Sequence, residues 1–312
     1  MKKLLIIGAS GLTGFRLANL STQEYNVYGT YNNRVVTIEN CEIFQLDKTD
    51  KEKMGSVIKE LKPNVIVDCS ALHNVDYCET HQEETWNINV DAPMYIVDLC
   101  KEINARFIYI STDYVFDGTA KTYNEESKTN PLNYYGISKL RAEQKISNSG
   151  ISYAIARTSL VFGWNPGELK GLKSSSGKTM NFVIWALNKL REGESLKIVS
   201  DQYSTPTLAD NLAEFLLSLV NSKVSGIFHT VGSECINRYE FTLKIAKIFN
   251  INKELITPVS SDMFKQVAKR PMRCCLDVNK AQHLLKVKPL NVEESLLKMK
   301  EQEEGLKNSH LI

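Results

Sequence analysis

A glycine-rich turn near the amino terminus is the feature that most constrains what this chain can fold into. Gly8, Gly11 and Gly14 have the spacing G-x-x-G-x-x-G, between an apolar strand pattern at residues 4–7 and a helical pattern at residues 12–21. Glycines so placed allow a tight turn, close approach of the backbone to a pyrophosphate and close helix–strand packing. The free N–H groups and positive dipole of the helix N-terminus favour phosphate. The turn therefore predicts a dinucleotide site.

The rest of the first half alternates short apolar runs with helical patterns. Strands are predicted at residues 26–31, 42–46, 64–69, 106–111 and 152–157, and helices at 51–61, 89–104 and 138–149. The runs at 65–67 and 107–110 are apolar without alternation, as expected when helices cover both faces of a sheet. We predict an α/β fold with a Rossmann-type doubly wound parallel sheet.

The pattern changes after about residue 160. Residues 163–179 are rich in Gly, Ser and Lys and predict a loop, and shorter helix and strand patterns follow. The 312 residues suggest about two domains. We expect a dinucleotide-binding Rossmann domain at residues 1–160 and a smaller α/β substrate-binding lobe at 161–312, with segments after 200 returning to the first domain.

Composition and charge exclude several classes of protein. The balance of 38 basic and 36 acidic side chains leaves a net charge of +2, so no basic surface for nucleic acid or an anionic membrane is expected. No uncharged apolar run approaches the roughly 18 residues of a membrane span. The seven cysteines lack a Cys-x-x-Cys pair and the five histidines lack metal-ligand spacing. Free thiols, a cytoplasmic location and no metal are the expectations.

The end of the second strand bears on the choice of dinucleotide. An NAD site usually has an acidic residue there, but this chain has none between Thr30 and Arg34. Arg34 is predicted to meet a 2′-phosphate, although it could instead be a solvated loop charge. Asp47 is placed to reach the adenine amino group or to act only as a loop or cap carboxylate. NADPH is favoured, and NADH remains an alternative.

A candidate catalytic group, a Tyr-x-x-x-Lys motif at residues 135–139, lies at the start of a helix. Tyr135 and Lys139 are four residues apart and share a helical face, so an ammonium could lower the tyrosine pKa from about 10. Tyr135 could then act as general acid to a carbonyl oxygen. Thr112, at the carboxyl end of the fifth strand, could donate a second hydrogen bond there. The alternatives are a packed aromatic ring and a strand-end hydroxyl.

With these motifs the sequence resembles the extended short-chain dehydrogenases/reductases, and within them the dTDP-4-dehydrorhamnose reductases. Finer motifs along nearly the whole chain carry this resemblance: residues 111–118 (STDYVFDG), 131–133 (PLN), 157–159 (RTS), 201–203 (DQY), 206–207 (PT) and 270–271 (RP). The resemblance implies hydride transfer to C4 of a nucleotide-linked 4-keto-6-deoxy sugar, with the proton from Tyr135. Tyr114 stands where related dehydratases carry glutamate, so reduction rather than dehydration is implied.

The resemblance also implies contacts. The residues expected to contact the cofactor, including those identified above from sequence patterns, are Gly8, Ser10, Gly11, Leu12, Gly14, Asn32, Arg34, Leu46, Asp47, Ser70, Ala71, Leu72, Tyr135, Lys139, Thr158 and Ser159. Those expected with the substrate are Asp113, Val115, Phe116, Leu160, Asn181, Gln202 and Arg270, the last on a diphosphate. Leu160 departs from the tryptophan common in the reductases, and the segment at 164–178 is longer than usual.

A second class of protein shares these motifs. The β regulatory subunit of methionine adenosyltransferase is similar to the same reductases and keeps the Tyr-x-x-x-Lys motif, so a non-catalytic NADP-binding subunit is the alternative. A reductase or epimerase acting on another keto substrate is a third reading. The expected partners are a nucleotide-sugar substrate and, as an option, a second copy of the chain in a homodimer.

Overall fold

A computed structural model describes residues 1–164 and 181–309 of the chain. Its strands are β1 Lys2–Ile7, β2 Tyr25–Tyr31, β3 Cys41–Gln45, β4 Val65–Asp68, β5 Arg106–Thr112, β6 Tyr153–Thr158, β7 Val161–Phe162, β8 Leu196–Val199, β9 Tyr203–Ser204, β10 Thr207–Leu208, β11 Gly226–His229, β12 Ile236–Asn237, β13 Ile256–Val259 and β14 Arg273–Cys274. Its α-helices are α1 Leu12–Ser21, α2 Lys51–Leu61, α3 Val75–Thr80, α4 Gln82–Trp86, α5 Ala92–Ile103, α6 Tyr134–Ser147, α7 Phe182–Arg191, α8 Ala209–Asn221, α9 Arg238–Ile248, α10 Asn279–Leu285 and α11 Val292–Ser309.

Seven parallel strands form the central sheet, in the order β11-β6-β5-β4-β1-β2-β3. The chain first winds outward from β1 to β3, then returns beside β1 with β4 and winds the other way. This reversal leaves a crevice at the carboxyl ends of β1 and β4, where open α/β sheets bind ligands. The predicted doubly wound Rossmann-type fold is confirmed.

Helices cover both faces of this sheet. On one face, α1 and α8 pack through residues such as Leu17, Leu212 and Phe215. On the other face, α2, α5 and α6 contribute Met54, Leu99 and Ile146. Each such apolar side chain contributes roughly 1.5–3 kcal/mol when fully buried. This double cover explains why β4 lacks polar alternation, since all four of its residues are buried.

The second half of the chain contributes to both parts of the molecule. Strand β11 pairs with β6 at the edge of the central sheet, and α8 lies against α1. Helices α7, α9 and α11 instead share a separate core, with Val183, Phe241 and Leu296 fully buried in it. A small sheet, β12-β9-β14, borders this second core. The domain boundary near residue 160 stays a prediction.

Two predicted helices have different starts. The predicted helix at 89–104 is preceded by α4 and a π-helical segment, Asn87–Asp91, and its regular part begins at Ala92 with Pro93 in the first turn. Helix α6 begins four residues before the predicted start at 138, because the Asn133 side chain accepts a hydrogen bond from the Gly136 N–H at 2.9 Å.

The cysteine prediction is wrong in one respect. Cys235 and Cys275 form a disulfide, with their Cα atoms 5.4 Å apart. The sequence did not indicate this pair because 40 residues separate the two positions and only the small sheet brings them together. The other five cysteines are free thiols. Within residues 1–164 and 181–309, no helix has the length and apolar character to cross a membrane. The loop predicted at 163–179 lies almost entirely outside the described residues.

Candidate active site

A cleft of about 1030 Å³ lies at the carboxyl edge of the central sheet, between the sheet and the second core. The ends of β1, β2, β4, β5 and β6 form one wall, and segments near residues 202–204 and 238 form the other. The cleft therefore occupies the crevice that the strand order opens. Its volume suits a ligand larger than a single small metabolite.

The glycine turn lies at one end of this cleft. Gly8 has a φ of +82°, which favours glycine, and its N–H donates to the Thr30 hydroxyl at 3.1 Å. A Cβ atom on Gly14 would stand 2.3 Å from the Gly8 carbonyl oxygen, so only glycine allows α1 to pack this closely. Gly11 precedes α1 and supplies no side-chain cap, which leaves the first N–H groups facing the cleft for an anion.

The other predicted adenosine-side residues also line the cleft, namely Ser10, Leu12, Asn32, Arg34, Leu46 and Asp47. The Arg34 guanidinium donates to the Ser10 carbonyl oxygen at 2.5 Å, which places its charge beside the glycine turn. Asp47 accepts hydrogen bonds from Asn32 at 3.1 Å and from Thr49, and these bonds lower its pKa against the opposing effect of burial. No carboxylate stands at the end of β2, as the sequence indicated.

A buried lysine beneath the cleft was missed at the sequence level. Lys48 is 6% exposed, and its ammonium lies 3.0 Å from Asp68 and donates to the Ser70 carbonyl oxygen at 2.7 Å. Asp68 in turn accepts from the Ser70 N–H and hydroxyl. The pair thus holds the turn of Ser70, Ala71 and Leu72, the residues predicted to contact the cofactor after β4, and this turn lines the cleft. A lysine after a strand end looks like a solvated loop charge, so no sequence signal could have found it.

Asn89 holds the same turn from the opposite side. Its side chain accepts from the Leu72 N–H at 2.9 Å and donates to the Leu72 carbonyl and to the Ser138 hydroxyl. The backbone carbonyl oxygen of Asn89 accepts a hydrogen bond from the Tyr109 hydroxyl at 3.0 Å. Asn89 lies in the π-helical segment, whose irregular backbone turns this residue inward. The turn after β4 is therefore tied to helix α6.

The three residues predicted to be catalytic, Thr112, Tyr135 and Lys139, all line the cleft. Tyr135 is in the first turn of α6, Lys139 lies one turn further on the same face, and Thr112 is at the end of β5. The structure corrects the predicted pKa of Tyr135, because burial raises it and outweighs a hydrogen bond with Thr112 that lowers it. The phenol therefore stays protonated at neutral pH, which suits a proton donor.

The Lys139 amine is almost fully buried, at 1% exposure, and lies 3.8 Å from the centre of the Tyr109 ring. Burial, and next the charge of Lys48, lower the pKa of Lys139 to about 7, while Asp68 and Glu143 act in the opposite direction. Lys139 can therefore change its protonation state near neutral pH.

Hydroxyl groups cluster beside Thr112 at the ends of β5 and β6. Asp113 accepts from the Thr112 hydroxyl at 3.0 Å and from the Ser159 hydroxyl at 2.6 Å, and burial raises the pKa of Asp113 to about 6. Thr158 lines the cleft with a buried hydroxyl that has no partner among the described residues, and the same is true of Ser111. Buried hydroxyls without partners fit the polar groups of a bound ligand.

The predicted substrate residues divide into two groups. Asp113, Leu160 and Gln202 line the cleft, and Leu160 has the unusual φ of +42°. Val115 and Phe116 do not reach it. Both are fully buried in the core of the sheet, because the 3-10 turn after β5 directs them inward, where Phe116 stacks on Tyr123. Their assignment to the substrate is corrected.

Two further predicted contacts are held by other partners. Asn181 caps α7 by accepting from the Ile184 N–H, and its amide group donates to the Gly163 carbonyl. Arg270 lies 2.6 Å from Asp76 in an ion pair and does not line the cleft. Arg238, which the sequence did not single out, does line it. Its position follows from the pairing of β12 with β9, a contact with no local signature in the sequence.

The parallel sheet, the glycine turn and the Tyr-x-x-x-Lys face together define a class, the extended short-chain dehydrogenases/reductases. Within it, the chain belongs to the RmlD substrate binding domain family, whose profile matches residues 1–304. The resemblance to dTDP-4-dehydrorhamnose reductases is thereby confirmed.

Relatives of known name cover nearly the whole chain. A probable low-salt glycan biosynthesis reductase of Haloferax volcanii is 31% identical over 93% of this chain and 95% of its own length. A dTDP-4-dehydrorhamnose reductase of Aggregatibacter actinomycetemcomitans is 30% identical over 95% of this chain and 97% of its own length. The methionine adenosyltransferase 2 subunit beta of Danio rerio is also 30% identical, over 91% of this chain and 85% of its own length.

Solved structures agree with these relatives. A hypothetical dTDP-4-dehydrorhamnose reductase from Sulfolobus tokodaii superposes with a TM-score of 0.79 at 32% identity, covering 94% of this chain and 99% of that one. The dTDP-4-dehydrorhamnose reductase of Bacillus anthracis, solved in complex with NADP, superposes with a TM-score of 0.81 at 27% identity. The match covers 97% of this chain and 100% of that one.

Proposed function

We propose that this protein uses NADPH to reduce the C4 keto group of a nucleotide-linked 4-keto-6-deoxy sugar. The observation that carries the proposal is that Thr112, Tyr135 and Lys139 line the same cleft as the glycine turn. A proton donor and a dinucleotide-binding turn in one enclosed space are what carbonyl reduction requires. The names of the relatives supply the substrate class.

The residues of the cleft fit NADPH. The glycine turn and the first turn of α1 would hold the diphosphate, Arg34 the 2′-phosphate, and Asp47 the adenine amino group. Lys139 and the Thr158 hydroxyl, which has no partner in the described part of the chain, would hold the nicotinamide side. NADH remains an alternative, because Arg34 also donates to the Ser10 carbonyl oxygen and so does not depend on a 2′-phosphate for its position.

The hydride for C4 of the sugar would come from the NADPH that these residues would hold. Thr112 and Tyr135 donate hydrogen bonds to the C4 oxygen, and the Tyr135 proton moves to that oxygen as negative charge develops there. The ammonium of Lys139 stabilises the resulting phenolate. In the free protein the Thr112 hydroxyl donates its one proton to Asp113, so it would leave this carboxylate to reach the C4 oxygen, while the Ser159 hydroxyl keeps its own bond to Asp113. Leu160 and Gln202 would contact the sugar.

The experiment is a direct assay with purified protein. Incubation with NADPH and dTDP-4-keto-6-deoxyhexose should oxidise the cofactor, followed by its absorbance, and yield the 4-hydroxy sugar nucleotide. Tight NADPH binding without oxidation would reject this function.

The second candidate is a non-catalytic NADP-binding subunit, favoured by the 30% identity to the methionine adenosyltransferase 2 subunit beta. That role predicts NADPH binding without turnover, together with a complex with a methionine adenosyltransferase catalytic subunit. Size-exclusion chromatography of the two purified proteins would show such a complex. The assay above and this measurement therefore give opposite results for the two candidates.

A further inference from the structure

One wall of the cleft carries polar side chains from the small sheet and from the residues next to its strands, and not from the Rossmann strands. In the antiparallel pairing of β12 and β9, Ile236 stands opposite Ser204, and the Arg238 N–H donates to the Gln202 carbonyl oxygen at 3.2 Å. This register brings Gln202, Ser204 and Arg238 together, and all three line the cleft.

Arg238 presents a cation to the cleft. Its guanidinium lies 4.9 Å from the centre of the Phe182 ring, which supports one face of the planar group. Among the described residues, no carboxylate or carbonyl oxygen accepts a hydrogen bond from this guanidinium. The charge of Asp113 attracts it and that of Arg270 repels it. A partly buried guanidinium with open donors is suited to a bidentate oxyanion.

Two neighbours support an anion at this position. The Ser204 hydroxyl is buried, with the residue 8% exposed, and has no partner among the described residues. Arg270, the arginine that the sequence suggested for a diphosphate, is instead held by Asp76 and by the Ala268 carbonyl oxygen. Of these two arginines, Arg238 is the one that faces the cleft.

We propose that Arg238, with the Ser204 hydroxyl, binds the diphosphate of a nucleoside diphosphate-linked substrate, and that Arg270 positions the Asp76 segment. The inference rests on the proposed function for its substrate class. It assigns substrate selection to an arginine at the start of α9, on the wall opposite Thr112.

The test is calorimetric binding to the NADP⁺-saturated protein, with dTDP and UDP as diphosphate probes and thymidine and uridine as matched nucleosides. Arg238→Gln should weaken binding of the better diphosphate by at least about tenfold and change nucleoside binding by less than about twofold. Arg238→Lys should fall between, because it keeps the charge and loses the fork. Arg141→Gln, an exposed charge removal on α6, should match the wild type.

The outcomes separate this inference from the proposed function. Failure of the wild type to bind either diphosphate, equal losses for diphosphate and nucleoside, or a larger loss in Arg270→Gln than in Arg238→Gln would overturn the assignment. Unchanged NADP⁺ affinity in the Arg238 variants confirms that they are folded. A wild-type protein that binds the diphosphate through Arg238 but does not oxidise NADPH would keep this inference and reject the reductase.

Discussion

At the residue scale, burial controls the chemistry of the site. Tyr135 and Lys139 share one face of α6, but burial raises the pKa of the phenol and lowers that of the amine. Both shifts favour the uncharged forms, as expected where water is excluded. The pair is therefore suited to proton donation at neutral pH more than to holding a resting phenolate.

Tyr135→Phe should remove the proposed proton donor and preserve the fold. We expect kcat to fall by about 10²–10⁴-fold with NADPH affinity within about twofold of the wild type. Initial rates of NADPH oxidation and fluorescence titration with NADPH measure the two quantities. A variant with wild-type kcat would show that another group donates the proton.

Arg34→Ala tests the choice of cofactor. The guanidinium is beside the glycine turn, where it can pair with a 2′-phosphate. Loss of a charge-assisted contact should weaken NADPH binding by at least about tenfold and leave the affinity for NADH nearly unchanged. Arg141→Ala is the matched control. Equal losses for both dinucleotides would mean that Arg34 only supports the turn.

At the element scale, the close contact between β1 and α1 depends on one missing side chain. In Gly14→Ala, the new Cβ would stand 2.3 Å from the Gly8 carbonyl oxygen, so the helix must move away from the turn. We expect a loss of about 1–3 kcal/mol in the free energy of unfolding, measured by urea denaturation, and weaker NADPH binding.

Gly305→Ala provides the comparison for that variant. It adds the same methyl group to an exposed helical position with no atom within 4 Å of the new Cβ, and it should be neutral or slightly stabilising. If both variants unfold at the same urea concentration, the contact at Gly14 does not limit the packing of α1.

The ion pair of Lys48 and Asp68 links the loop after β3 to the end of β4 and acts on Lys139 through its charges. Lys48→Met removes a neighbouring cation and leaves the attraction of Asp68, so the pKa of Lys139 should rise from about 7. If the ammonium form is active, activity falls as pH rises through this pKa. The alkaline limb of the kcat/KM profile should therefore move to higher pH by about one unit.

The double variant Lys48→Met/Asp68→Asn distinguishes charge from structure. It removes both charges and keeps an acceptor for the Ser70 N–H, so the alkaline limb should return towards the wild-type position. If the alkaline limb of the kcat/KM profile does not move in the single variant, Lys139 does not control the pH dependence.

At the scale of the whole molecule, the Cys235–Cys275 disulfide closes a 40-residue loop that includes α9 and β13. Constraining a loop of this length in the unfolded chain is worth up to about 4 kcal/mol. Thiol titration of the unfolded, unreduced protein should count five free cysteines, and reduction or Cys235→Ser should lower the free energy of unfolding. A count of seven thiols would contradict the pairing.

Local patterns in the sequence predicted much of the fold and part of the site. The bounds of α1 and α2 agree with their periodicity, and the apolar runs predicted the six strands from β1 to β6 to within about two residues. The start of α6 was placed too late because the Asn133 cap was not recognised. For Val115 and Phe116, a motif indicated proximity to the site, but the turn after β5 directs both side chains into the core.

The sequence by itself determined the Rossmann-type sheet, the glycine turn and the shared face of Tyr135 and Lys139. Each of these depends on periodicity or on a spacing of a few residues, which acts locally. Only the tertiary structure decided that Arg238 faces the cleft and Arg270 does not, that Lys48 is buried on Asp68, and which cysteines pair. These features depend on burial and on contacts between segments 20 to 194 residues apart, for which a single sequence carries no local signal.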